Sequence, residues 1–164
     1  MAVDMFMKID KLGGESKDAT HKDTIDVLAW SWGMSQSGTT HMGGGAGAGK
    51  ANFQDVSFTK YIDKTSTNLM LACAKGTHFE EAKLTVRKAG DNPLEYLIIT
   101  MKDLIVTSVS TGGSGGEDRL TENVSLNFSF VSVTYHEQDD KGASKGEADM
   151  HFKIAENEGD ATKG

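Results

Sequence analysis

Apolar residues recur at every second position over most of this chain, the pattern of strands with one face on a core. Val3, Met5, Met7 and Ile9 form the first such run. In residues 24–34, Ile25 and Val27 keep one phase, while Leu28, Trp30, Trp32 and Met34 take the other. A phase switch inside a strand predicts a bulge or a change of buried side. Alternation returns over 52–61, with Val56 and Phe58 in step, and over 79–88, where Ala82, Leu84 and Val86 oppose Lys83, Thr85 and Arg87. Over 119–135, Val124, Leu126, Phe128 and Phe130 give way to Val131, Val133 and Tyr135. Residues 94–101 and 103–110 are apolar on both faces and read as central or doubly covered strands. A weak last strand covers 148–155, with Met150, Phe152 and Ile154 in step. Otherwise the acidic stretch 136–164 reads as a weakly ordered, solvated loop and frayed tail.

Residues 66–75 break this rhythm. Leu69, Met70, Cys73 and Ala74 fall at helical spacing, with Ser66 as N-cap and Gly76 as the stop. The expected fold is therefore all-β with one short α-helix, a barrel or tight sandwich of seven or eight strands, in a single domain over 1–164. The tryptophans and Cys73 are expected in the core. The opposite face of the Trp30 strand, at Ala29, Ser31 and Gly33, is small and featureless.

Composition narrows the function classes. The net charge of −7, from 17 basic and 24 acidic residues, argues against a nucleic-acid partner. The one cysteine, Cys73, allows no internal disulfide and no cysteine-rich zinc site. The segment Met1–Lys11 lacks the basic and apolar regions of a signal peptide, and the longest apolar run, Leu69–Ala74, is too short to span a membrane. Glycine is in excess, 19 residues against roughly 11 or 12 at average usage. It clusters at 43–49 and 112–116.

Both glycine clusters resemble catalytic loops only superficially. Gly44–Lys50 approaches a phosphate-binding loop, but Ala51 stands where a metal-binding Ser or Thr is needed, and a strand pattern follows where a helix is required. Gly112-Gly113-Ser114-Gly115-Gly116 matches G-x-S-x-G but joins two strands, not a strand and a helix. The histidines at 21, 41, 78, 136 and 151 lack metal-ligand spacing. No catalytic constellation, metal or cofactor is expected.

Several blocks then carry a family resemblance. Val27-Leu28-Ala29-Trp30-Ser31-Trp32-Gly33-Met34-Ser35-Gln36-Ser37-Gly38, Phe58-Thr59-Lys60-Tyr61-Ile62-Asp63-Lys64, Lys83-Leu84-Thr85-Val86-Arg87-Lys88-Ala89-Gly90 and Ser108-Val109-Ser110-Thr111-Gly112-Gly113 resemble the haemolysin-coregulated protein (Hcp) family, as do Met1-Ala2-Val3-Asp4-Met5 and Gly14-Glu15-Ser16. The resemblance covers about 1–135. It implies a two-sheet β-barrel of the Hcp and phage tail-tube type. It further implies a non-enzymatic subunit of the type VI secretion inner tube, assembling as homohexameric rings that stack within a contractile sheath under a VgrG-type spike. Small effector proteins would ride in the lumen. The subunit would assemble in the bacterial cytoplasm and be secreted without a signal peptide, with no membrane insertion.

By the same resemblance, the loop Gly38-Thr39-Thr40-His41-Met42-Gly43-Gly44-Gly45-Ala46-Gly47-Ala48-Gly49-Lys50 is expected to reach a neighbouring subunit. Ala29, Ser31, Gly33 and Ser114 are lumen candidates, and Gly90, Asp91 and Asn92 are ring-stacking candidates. The alternatives are a tail-tube protein of a phage or phage-like contractile particle, and an enzyme or ligand-binding barrel acting alone.

Overall fold

The computed structural model describes residues 2–38, 49–90 and 93–162. Its elements are β1 Val3–Ile9, β2 Ile25–Ser31, β3 Met34–Ser35, β4 Asn52–Phe53, β5 Val56–Tyr61, α1 Ser66–Lys75, β6 His78–Lys88, β7 Glu95–Thr111, β8 Thr121–Gln138, β9 Ser144–Lys153 and β10 Glu158–Thr162. All strand pairings are antiparallel. The order β8-β5-β2-β1-β6-β7 closes through a further β7–β8 pairing into a six-stranded barrel. β9 and β10 extend from the C-terminal half of β8, while β3 and β4 form a small separate ribbon.

Alternation places the core inside this barrel. Met7, Ile9, Val56, Phe58, Leu84, Ile99, Met101, Val124 and Leu126 are buried there. Burying a side chain of this size contributes about 1.5–3 kcal/mol. The phase switch in β2 is a bulge: Val27 pairs with Lys60 and Ala29 with Thr59, so Leu28 has no opposite residue and is exposed. The slip in β8 comes one residue earlier than alternation implies. Phe130 lies outside, stacked on His151, and Val131 resumes the buried phase. The two expected strands 94–101 and 103–110 are one strand, β7, kept continuous through Asp103 at φ 51°.

Helix α1 has its expected bounds, but its N-cap is Thr65, without a side-chain cap bond. The Ser66 hydroxyl is engaged elsewhere: it accepts from the Asp63 amide and donates to Glu122. Gly76 ends the helix at φ 65°, and the Thr77 amide reaches back to the Ala72 carbonyl. Leu69 and Ala72 are buried, whereas Cys73 and both tryptophans are only half-buried against the core. The Trp32 indole N–H donates to the Gln54 carbonyl at 3.0 Å. The last strand, expected over 148–155, is β9 at Ser144–Lys153, and Glu158–Thr162, which reads as tail, is a further paired strand. Among the described residues no helix is long and apolar enough to cross a membrane.

Candidate functional site

The outward positions of β2, β5, β8 and the end of β7 form one continuous wall. Strand register decides its rows. Ala29 lies opposite Thr59, Thr59 opposite Asn123, and Asn123 opposite Ser110. The next row is Ser31, Ser57, Ser125 and Ser108. Neither row contains a charged side chain. Hydrogen bonds run across the strands: the Thr59 hydroxyl donates to Asn123 Oδ1 at 2.6 Å, and the Ser57 and Ser125 hydroxyls are 3.0 Å apart. Such cross-strand hydroxyl pairs fix side-chain direction on an exposed face.

The wall ends at an acid. Asp55 accepts from the Thr107 hydroxyl at 2.6 Å and from the Asn127 amide at 2.9 Å, which ties β5, β7 and β8 together at that edge. Gly33 sits nearby, where an added Cβ would lie 3.2 Å from Gln54 Oε1. At the other edge, Arg119 stacks on Tyr61 with its guanidinium 3.8 Å from the ring centre.

Of the candidate residues, Ala29 and Ser31 are exposed and adjacent on this wall, with Gly33 just beyond β2. Ser114 is exposed in the β7–β8 loop. There Ser110, Thr111, Gly112, Gly113, Ser114, Glu117, Thr121 and Asn123 line a hollow of about 310 Å³ continuous with the Asn123 row. Gly90 belongs to the β6–β7 turn, at the opposite end of β7, with φ 150°, a conformation open to glycine. Asp91 and Asn92 lie outside the described residues. So do Thr39, Thr40, His41, Met42, Gly43, Gly44, Gly45, Ala46, Gly47 and Ala48 of the long loop. Its ends are described: an added Cβ on Gly38 would meet no described atom within 4 Å, and one on Gly49 would collide with the Ser37 hydroxyl.

Sequence reasoning missed the partners of Ser31 and Ala29. The signal was present: the polar phase of 57–59, of 121–127 and of 108–110 contains only Ser, Thr and Asn. What single strands do not reveal is that these phases adjoin.

Two buried polar clusters support the barrel. Beneath α1, the fully buried Lys60 ammonium pairs with the fully buried Glu122, lies 3.1 Å from Asp63, and donates to Ser66 Oγ at 3.2 Å and the Tyr61 carbonyl at 2.9 Å. Glu122 Oε2 has no partner among the described residues. Lys60 and Glu122 stand next to Thr59 and Asn123 in their strands, so the same pairing that joins the ions sets the wall register. At the far side, Arg87 pairs with Asp18, donates to Thr20 Oγ1 at 2.9 Å, and lies 4.9 Å from the Phe6 ring centre. The Arg87 guanidinium holds the Asp18 carboxyl well below the usual carboxylate range, aided by Thr20 and the His21 amide against the opposing effect of burial. Among the described residues no group of His, Cys, Asp and Glu is placed to hold a metal ion.

Comparison with known proteins assigns this architecture. Residues 6–135 match the family model described as type VI secretion system effector, Hcp. The chain is 68% identical over 147 residues to Protein hcp1 of Pseudomonas aeruginosa, covering 89% of this chain and 91% of that one. Among solved structures, Hcp1 from Salmonella typhimurium superposes with a TM-score of 0.81 at 42% identity, covering 98% of this chain and all of the other. A further type six secretion system protein superposes with a TM-score of 0.91 at 29% identity, covering 97% of this chain and 100% of the other. The family match over residues 6–135, the curated relative and the shared barrel together place the chain in the Hcp family of the type VI secretion system.

Proposed function

We propose that this chain is the structural subunit of the type VI inner tube. In this reading it closes into six-membered rings whose lumen is lined by the wall of Ala29, Ser31 and their partners, and which carry small effector proteins. Rings stack, are expelled by the contractile sheath, and end in a VgrG-type spike. Gly38–Lys50 reaches a neighbouring subunit, and the Gly90–Asn92 turn meets the next ring.

The observation that carries the reading is the pair of uncharged rows spanning four strands. A surface of hydroxyl and amide groups stays hydrated when empty, and it hydrogen-bonds a passing protein without the desolvation cost of buried charge. A charged lining would instead bind tightly or exclude by sign. Ring closure needs heterologous contacts, with different patches of one subunit meeting. The β6–β7 and β7–β8 loops leave opposite ends of β7, as head-to-tail stacking requires.

Negative-stain electron microscopy of the purified protein, with native mass, tests the assembly. Six-fold rings with a stain-filled centre are expected, and a monomer at every concentration and salt would overturn the reading. Ser31→Trp tests the wall: rings persist while retention of a co-expressed effector is lost. Lost rings, or unchanged retention, would remove Ser31 from the lumen.

A further inference from the structure

The ribbon of β3 and β4 has two residues in each strand and shares no ladder with the main sheet. A two-stranded ribbon is marginal in water on its own. Yet the long loop leaves from it, between Ser35 and Asn52. Its direction is set by side chains, through four aromatic rings. Trp32, ahead of β3, donates its indole N–H to the Gln54 carbonyl just past β4 and so closes the stem. Its ring centre lies 6.2 Å from that of Phe128 in β8 and 6.3 Å from that of Phe53 in β4. Phe53 in turn stacks on Phe152 of β9, with ring centres 5.1 Å apart and planes 30° from parallel.

The stem therefore has two anchors of different kinds. Phe128 is buried and belongs to the barrel core. Phe152 stands outside the barrel, on the β9–β10 hairpin, which joins the rest of the sheet only through β8. The hairpin is shaped for the contact. Gly159 of β10 lies opposite Phe152. A Cβ added there would collide with the His151 carbonyl oxygen and lie 2.6 Å from Phe152 Cδ2, well inside the separation of about 3.5–4.0 Å at which carbon atoms pack. The bare glycine leaves the Phe152 ring its place against Phe53. β10 buries none of its own residues.

We propose that the β9–β10 hairpin is a positioning element for assembly: Phe152, with Gly159 behind it, holds the β3–β4 stem in the direction from which the long loop leaves. Both are positioning residues that act through Phe53. Stacked aromatic pairs contribute modestly beyond the area they bury, so losing one loosens the stem by several-fold and leaves the barrel folded. That the loop then meets a neighbouring subunit rests on the ring reading; the stem contact itself does not.

The test is limited trypsin digestion read by intact mass, with native mass over a dilution series. Lys50, exposed where the loop returns to β4, is the site to follow. Phe152→Ala speeds cleavage after Lys50 about three- to tenfold, compared at a concentration where variant and wild type show the same oligomer. Cleavage after Lys17, in the β1–β2 loop, stays as in wild type. Rings of the variant come apart at a higher protein concentration. Should Phe152→Ala fail to fold, Phe152→Leu gives a smaller rise of the same sign. Met150→Ala is the control: Met150 lies two residues before Phe152 on the same face of β9, opposite Val133, so its loss weakens the hairpin without freeing the stem. Unchanged cleavage after Lys50 in the Phe152 variants overturns the inference, as does an equal rise in Met150→Ala. Faster cleavage with rings as resistant to dilution as wild type's overturns the assembly role. A wild type that is monomeric throughout overturns the ring reading instead, and the cleavage comparison still decides the stem contact.

Discussion

Lys60 and Glu122 occupy positions that alternation reserves for apolar side chains, in step with Val56 and Phe58 on one strand and with Val124 and Leu126 on the other. That is the sequence signature of a buried pair: opposite charges, each in the wrong phase of its own strand. Removing one partner leaves the other charge buried without compensation, which costs about 3–5 kcal/mol. Lys60→Met should therefore lower the urea-derived stability by about that amount, since Glu122 and Asp63 then face each other without a cation. Lys60→Met with Glu122→Leu should recover much of the loss, because two apolar groups need no partner. A double variant as unstable as the sum of the singles would mean the two residues act independently. Asp18 makes a second residue-scale prediction. Its folded carboxyl titrates below the ordinary value, so its contribution is complete above about pH 4 and is lost as pH falls below that, where the unfolded chain takes up the proton first. Asp18→Asn should lower the urea midpoint at pH 7 and flatten its decline on the acid side. A decline parallel to wild type would show that another carboxylate governs acid unfolding.

Elements were legible where burial enforces a period, and illegible where pairing alone holds them. β1, β6 and α1 follow directly from apolar spacing, since each has one face on the core. The bulge at Leu28 was visible as a phase switch because the strand on either side of it stays half-buried. The continuity of β7 was not visible, since the charged pair Lys102 and Asp103 interrupts the apolar pattern between 94–101 and 103–110; the structure runs through it with a left-handed backbone at Asp103, whose carboxylate bonds Ser129 Oγ at 3.2 Å and His78 at 3.3 Å. β10 carries no apolar signal, as all its residues are exposed, and it exists through its ladder with β9. The wall is a further case. Ala29, Ser31 and Gly33 could be picked from one strand as a smooth face. Thr59, Asn123, Ser57 and Ser125 join them only through the long-range pairing of β2, β5 and β8, which no local pattern encodes.

At the scale of the whole molecule, the uncharged wall contrasts with a face of mixed charge, where Lys8, Lys83 and Lys102 stand among Asp10, Glu80 and Glu81. The wall rows are neutral, lysines cross β1, β6 and β7, and the remaining acids leave −7 on the subunit. In the proposed six-membered ring that charge is multiplied sixfold. In the proposed tube, two stacked rings of like net charge repel, and that repulsion is screened over about 10 Å at 0.1 M salt. Attraction between the loops at the two ends of β7 must then overcome repulsion that falls as salt rises. Stacking should therefore strengthen with ionic strength: short of about 0.05 M salt single rings should dominate, and near about 0.5 M tubes should lengthen. Sedimentation velocity across that range measures it directly. If stacking instead weakens with salt, the ring faces are joined by complementary ion pairs strong enough to outweigh the net charge. The acids and lysines around the β6–β7 and β7–β8 loops would then be the residues to reverse.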